Sequence, residues 1–147
     1  MNSLNTHKST PNTQADMSQT IERTALTQLV TNEQYARKVL PFMKGDYFSD
    51  KTERTVFEEI TKFVDKYNKI PTQTSLEIEV SGRKDLNEEE FKKVVAVIKT
   101  LESTDVDFEW LVNTTEQFCK DKAVYNAIVE GISIIDGKDK HRGPDAI

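Results

Sequence analysis

The residues that could carry chemistry begin with a stretch approaching a phosphate-binding loop, Gly131-Ile132-Ser133-Ile134-Ile135-Asp136-Gly137-Lys138-Asp139. A working loop places four residues between its glycines, so that backbone N–H groups curl around phosphates, and follows the lysine with Ser or Thr to hold magnesium. Here five residues separate the glycines, and Asp139 follows the lysine, where its charge would repel a phosphate. The stretch reads instead as a helix C-terminus with a glycine cap.

The other reactive types are scattered. His7 and His141 lie in polar end segments, and Cys119 has no thiol or imidazole at ligand spacing, so no metal site is expected. As a nucleophile Cys119 would need a histidine and an orienting group; it reads as a small core residue. Glu88-Glu89-Glu90 falls in the first turn of an expected helix, where negative charge suits the helix dipole. Trp110, the single tryptophan, reads as a core residue rather than a docking anchor. Lys92-Lys93 and Lys120-Asp121-Lys122 read as solvated helix faces. No catalytic residue and no cofactor site emerges, so these 147 residues are not expected to form an enzyme by themselves.

The elements that would position these residues are helical. Residues 1–19 are rich in Asn, Thr, Ser and Gln and are expected to be disordered. From Thr20, a candidate N-cap, Ile21, Ala25, Leu26, Leu29 and Val30 recur at helical spacing and predict a short first helix. Thr31 or Asn32 can cap a second helix through Met43, which Pro41 bends or ends. Ser49 or Asp50 can cap a third, in which Val56, Phe57, Ile60, Phe63, Val64 and Tyr67 form one stripe.

Ile70-Pro71 ends that helix. The following TQTSLEIEVSGR could alternate as a strand, but an isolated strand has no partner in the sequence, so the spacing is read as a short helix after Thr72. Asn87 with Glu90 resembles a capping box and opens a helix carrying Phe91, Val94, Val95, Ile98 and Leu101. Asp107 caps the longest helix, expected to reach Asp136.

In that last helix Leu111, Phe118, Tyr125 and Ile132 are spaced by seven, and Thr115, Ala123, Ile128 and Ile135 lie close to the same seam. Sustained spacing of this kind suits packing of helix against helix. Leu111, Phe118, Tyr125, Ile128, Ile132 and Ile135 are the candidate assembly seam. The expected organisation is a disordered segment at 1–19, a helical bundle over 20–106, a protruding arm over 107–136 and a linker cut short over 137–147.

Composition bounds the partners. Few glycines and prolines, five and four, favour an all-α class. The net charge of -5 is concentrated in residues 21–136, with 16 basic and 22 acidic groups, so the folded part gains little from phosphate attraction. Direct nucleic-acid binding is expected to be weak or absent, and a protein partner is favoured. No run of roughly 18 apolar residues could span a membrane, and one cysteine without a leader-like opening points to a reducing cytoplasm.

Three segments in order carry a family resemblance: YARKVLPFMKGDYFSD, ERTVFEEITKFVDKYNKIPTQTSL and DFEWLVNTTEQFCKDKAVYNAIVEGI. Together they resemble the N-terminal domain of DnaB-like hexameric replicative helicases, most closely those of T-even-type phages. The resemblance implies a small helical bundle with a hairpin arm, self-associating into a collar that supports a hexamer and offers a docking platform for primase. It also implies a C-terminal RecA-like motor domain, absent from these residues, and the cytoplasm of a bacterial host. A stand-alone phage adaptor or helicase-loading protein is the competing expectation.

Overall fold

A computed structural model describes the backbone of residues 13–141 and the side chains of 20–137. Six α-helices follow in order among the described residues: α1 (Thr13–Thr31), α2 (Glu33–Val39), α3 (Lys51–Tyr67), α4 (Gln73–Ser81), α5 (Glu88–Lys99) and α6 (Phe108–His141). Single 3₁₀ turns at Leu40–Phe42 and Gly45–Tyr47 join α2 to α3. The all-α expectation holds, including the helical choice for α4.

Local sequence starts most of these helices. Asn32 accepts from the Tyr35 N–H at 3.0 Å, Asp50 from Glu53 N–H at 2.9 Å, and Asn87 from Glu90 N–H at 2.8 Å while Glu90 reaches back to Asn87 N–H. Thr72 and Ser75 form the same reciprocal arrangement at the head of α4. Each cap satisfies an amide that the helix cannot, worth about 1 kcal/mol. Pro41 ends α2 by converting its last turn to 3₁₀ geometry. At the other end of α3, Asn68 takes the left-handed conformation (φ 56°) and its N–H closes on Val64 O.

Two boundaries differ from the sequence expectation. The first helix begins at Thr13, so Thr20 lies inside it rather than capping it, and residues 13–19 are helical backbone rather than tail. Once Ile21–Val30 are held by packing, each residue added upstream gains a hydrogen bond without a new nucleation cost. Likewise α6 continues past Asp136 to His141, through Gly137 and the start of the expected linker. Residues 1–12 and 142–147, the rest of the two expected tails, lie outside the described residues.

The core sits where α3 meets α1, α4 and α5, with α2 closing against α1 and α6. Ala25, Leu26 and Leu29 from α1, Val56 and Ile60 from α3, Leu76 and Val80 from α4, Val94 and Ile98 from α5, and Phe48 are all buried. The Phe48 and Phe57 rings lie 5.0 Å apart, tilted. This body forms the base on which α6 stands.

Candidate assembly surface

The first half of α6 belongs to the body. Asp107 accepts from Trp110 N–H at 2.8 Å and so caps the helix, as its sequence suggests. Leu111, Val112, Thr115 and Cys119 are buried, and Phe108 and Phe118 pack half-buried against the same core. One polar contact crosses this interface out of reach of water: the hydroxyls of Tyr35 and Thr115 lie 2.7 Å apart. Burial, opposed by that hydrogen bond, holds the Tyr35 phenol above its ordinary range.

Farther along, Lys122 Nζ donates to Ser49 Oγ at 3.1 Å, and Asn126 Nδ2 donates to the Asp46 carbonyl at 3.2 Å. Beyond these contacts the side chains meet solvent. Val124, Tyr125, Ile128, Val129, Ile132, Ile134 and Ile135 are all exposed, Tyr125 by 61% and Ile135 by 59%. At 3.6 residues per turn all but Ile134 share one side of the helix. A stripe of this length has no partner among the described residues, and fully burying a side chain of this size is worth about 1.5–3 kcal/mol.

The six seam candidates therefore divide. Leu111 is inside the body and Phe118 half inside it, whereas Tyr125, Ile128, Ile132 and Ile135 stand free on the arm. Thr115, read near the same seam, also faces the body, and Ala123 is exposed. Sequence reasoning missed Val124 and Val129; the signal was their helical spacing from Ile128 and Ile132, which the seven-residue repeat passes over.

Trp110 corrects a second expectation. It is 52% exposed, because Leu111, Val112 and Thr115 take the docking side of α6 and leave Trp110 outward. It stands eighteen residues, about five helical turns, before Ile128 and so on the same side as the arm's stripe. The basic pair around Asp121 also splits: Lys120 is exposed, but Lys122 is half-buried, 5.9 Å from the ring centres of both Phe118 and Tyr125.

The phosphate-loop look-alike is ordinary helix. Gly131 and Gly137 lie within α6, so the glycine-cap reading fails for the same reason as the linker: the helix does not stop there. No glycine among the described residues has positive φ. Cys119 is buried, with its thiol pushed up to about 12, first by desolvation and then by Glu116. His7 lies outside the described residues, as does the His141 side chain. Among the described residues no three His, Cys, Asp or Glu side chains are grouped to hold a metal.

Sequence reasoning also missed three interior carboxylates, Glu22, Glu53 and Glu59. Glu59 accepts from Lys62 at 3.0 Å and from Arg83 at 3.1 Å, which clasps α3 to the α4–α5 turn. Glu22 accepts from the Ser49 N–H and hydroxyl, and Glu53 from Arg23. A separate groove of about 410 Å³ lies between α2 and the end of α3, with Ala36, Leu40, Pro41, Val64 and Ile70 among its lining.

No family model matches this sequence. Over 109 residues, 74% of the chain, 28% of positions are identical to those of a known protein. The chain is similar to a DnaB-like replicative helicase of Enterobacteria phage T4. It spans 23% of the length of that helicase. The similarity agrees with the N-terminal-domain resemblance read from the helical segments, and the all-α bundle followed by a long final helix agrees with the fold read from the sequence. No helix among the described residues is long and apolar enough to cross a membrane.

Proposed function

We propose that this chain is the N-terminal collar domain of a phage replicative DNA helicase, a non-catalytic module that assembles through its arm. The observation that carries the reading is the unpartnered stripe of Tyr125, Ile128, Ile132 and Ile135 on α6, projecting from a finished core. The partner that fits such a stripe is a second copy of the same helix, because apolar residues at this spacing interdigitate helix against helix. The likeness to the phage helicase supplies the context: the arm would hold neighbouring collars together, and a RecA-like motor domain, outside these residues, would hydrolyse ATP and translocate on DNA.

Primase docking on the assembled collar belongs to the same reading and is supported by the family resemblance alone. The acidic body offers little to a phosphate backbone, so DNA contact by this domain is a minor part of the role. Sedimentation of the purified chain tests the assembly. Dimers or larger species are expected at micromolar concentration, and Ile132→Asp should return them to monomer, since a charge in that seam has no evident partner. A wild-type chain that stays monomeric at high micromolar concentration overturns the arm as the assembly element.

A further inference from the structure

Residues 101–119, the connection out of α5 and the head of α6, carry five acidic side chains and no basic one. Asp107 among them is engaged as the α6 cap. Glu102, Asp105 and Glu109 are exposed and make no ion pair with any described residue. The bases beside them are committed elsewhere: Arg23, which also reaches Thr100, to Glu53, and Lys99 to Glu77. Lys120, the next base along α6, lies ten residues, about 15 Å, beyond Trp110.

Trp110 stands midway along this stretch and is 52% exposed, on the side of α6 turned away from the body. The surface is built in advance: Leu101 is buried, Gln28 of α1 donates to the Thr104 carbonyl at 3.3 Å, and Asp107 holds the Trp110 N–H at 2.8 Å. Binding here needs little further ordering of the backbone. Trp110 also lies fifteen residues, about 22 Å, before Tyr125, outside the stripe offered for assembly.

Charge decides what can cover it. Tryptophan is among the side chains that most often dominate a protein interface, and its ring face attracts a cation. Acidic neighbours reinforce that attraction, and they repel a phosphate backbone or an anionic lipid surface. The apolar stripe of a second arm, Tyr125, Ile128, Ile132 and Ile135, brings no base to match them. We propose that Trp110 and the acids Glu102, Asp105 and Glu109 dock a protein partner that presents an arginine or lysine beside an apolar side chain. The cation lies over the indole and answers the unpaired carboxylates, while the apolar contact covers the rest of the ring.

The single tryptophan makes the test direct, since native emission reports this position alone. The probe is an amphipathic peptide of Arg, Leu and Ala, beside a counterpart with citrulline in place of arginine, both titrated below the association range of the chain. The arginine peptide should shift Trp110 emission to the blue, lower its quenching by acrylamide and saturate, whereas the citrulline peptide should do none of these. In calorimetry Trp110→Ala should weaken binding about tenfold, and Asp105→Asn with Glu109→Gln about fivefold. Glu88→Gln with Glu89→Gln removes equal charge from the far end of α5. At about 0.15 M salt, where screening is strong beyond about 8 Å, that pair should change binding by less than about twofold. All five side chains are exposed, so none of these changes disturbs the core. Emission indifferent to the arginine peptide, or equal weakening by the two carboxylate pairs, overturns the proposal. Emission that instead shifts with the chain's own concentration, in step with sedimentation, puts a second copy over Trp110 and overturns it as well. Each of these outcomes leaves the arm standing as the assembly element.

Discussion

The hydroxyls of Tyr35 and Thr115, eighty residues apart, meet at 2.7 Å in the interior and join α2 to the arm helix. Removing either oxygen leaves the other buried without its partner, which costs about 1–3 kcal/mol. Tyr35→Phe should therefore lower the free energy of unfolding by that amount in urea. The double change Tyr35→Phe with Thr115→Val should cost less than the sum of the two single changes.

The two halves of α6 should respond oppositely to truncation. Leu111→Ala opens a cavity in the body, and a loss of about 2–5 kcal/mol is expected in denaturant unfolding. Ile132→Ala, made on a side chain already in water, should change monomer stability by no more than about 0.5 kcal/mol. Unfolding must be followed below the concentration at which the chain associates, where equal losses at both positions would contradict the division of the helix.

Cys119 should be a silent thiol in the native state. The thiolate is the reactive form, and with the thiol at about 12 against an ordinary 9.0, labelling by a disulfide reagent at about pH 8 should be slowed about a thousandfold. Full reactivity should return in denaturant. Rapid labelling of the native chain would show that the base of α6 opens readily.

The Glu59–Arg83 clasp gives a contrast between two partners of one guanidinium. Arg83→Met leaves Glu59, with a side chain 1% exposed, to the solvent-facing Lys62 alone, and a cost of about 2 kcal/mol is expected. Asp85→Asn removes an exposed carboxylate and should leave neutral-pH stability nearly unchanged. Arg83 holds that Asp85 carboxyl at about 2, so whatever it contributes is present above the ordinary aspartate value and fades as pH falls toward 2.

Five of the six helix starts, all but that of α1, were legible because a cap is a local event. Asn32, Asp50, Thr72, Asn87 and Asp107 each close on an amide three residues ahead, and no distant residue is needed to see it. The interior carboxylates were not legible, because a glutamate on a helix face looks solvated until its partners are known. Those partners lie 27 residues away for Glu22, 30 for Glu53 and 24 for Glu59 with Arg83.

The arm was half legible for a related reason. A seven-residue spacing has the same appearance whether the helix packs on its own body, as at Leu111 and Phe118, or awaits another, as at Tyr125 and Ile132. Trp110 was misread because a lone tryptophan in a small domain is usually buried, and nothing local says which side of its helix docks.

Gly131 and Gly137 sit within the arm with nothing within 4 Å of where a Cβ would stand, so neither is required by crowding within this chain. Each lowers helix propensity by about 1 kcal/mol relative to alanine, in a segment that has no tertiary support of its own. The distal arm is thus a conditional element, whose helicity at 222 nm should rise with protein concentration as a neighbour covers it. Gly137→Ala should uncouple the two, giving an arm that is wound in advance and a collar that forms at lower concentration.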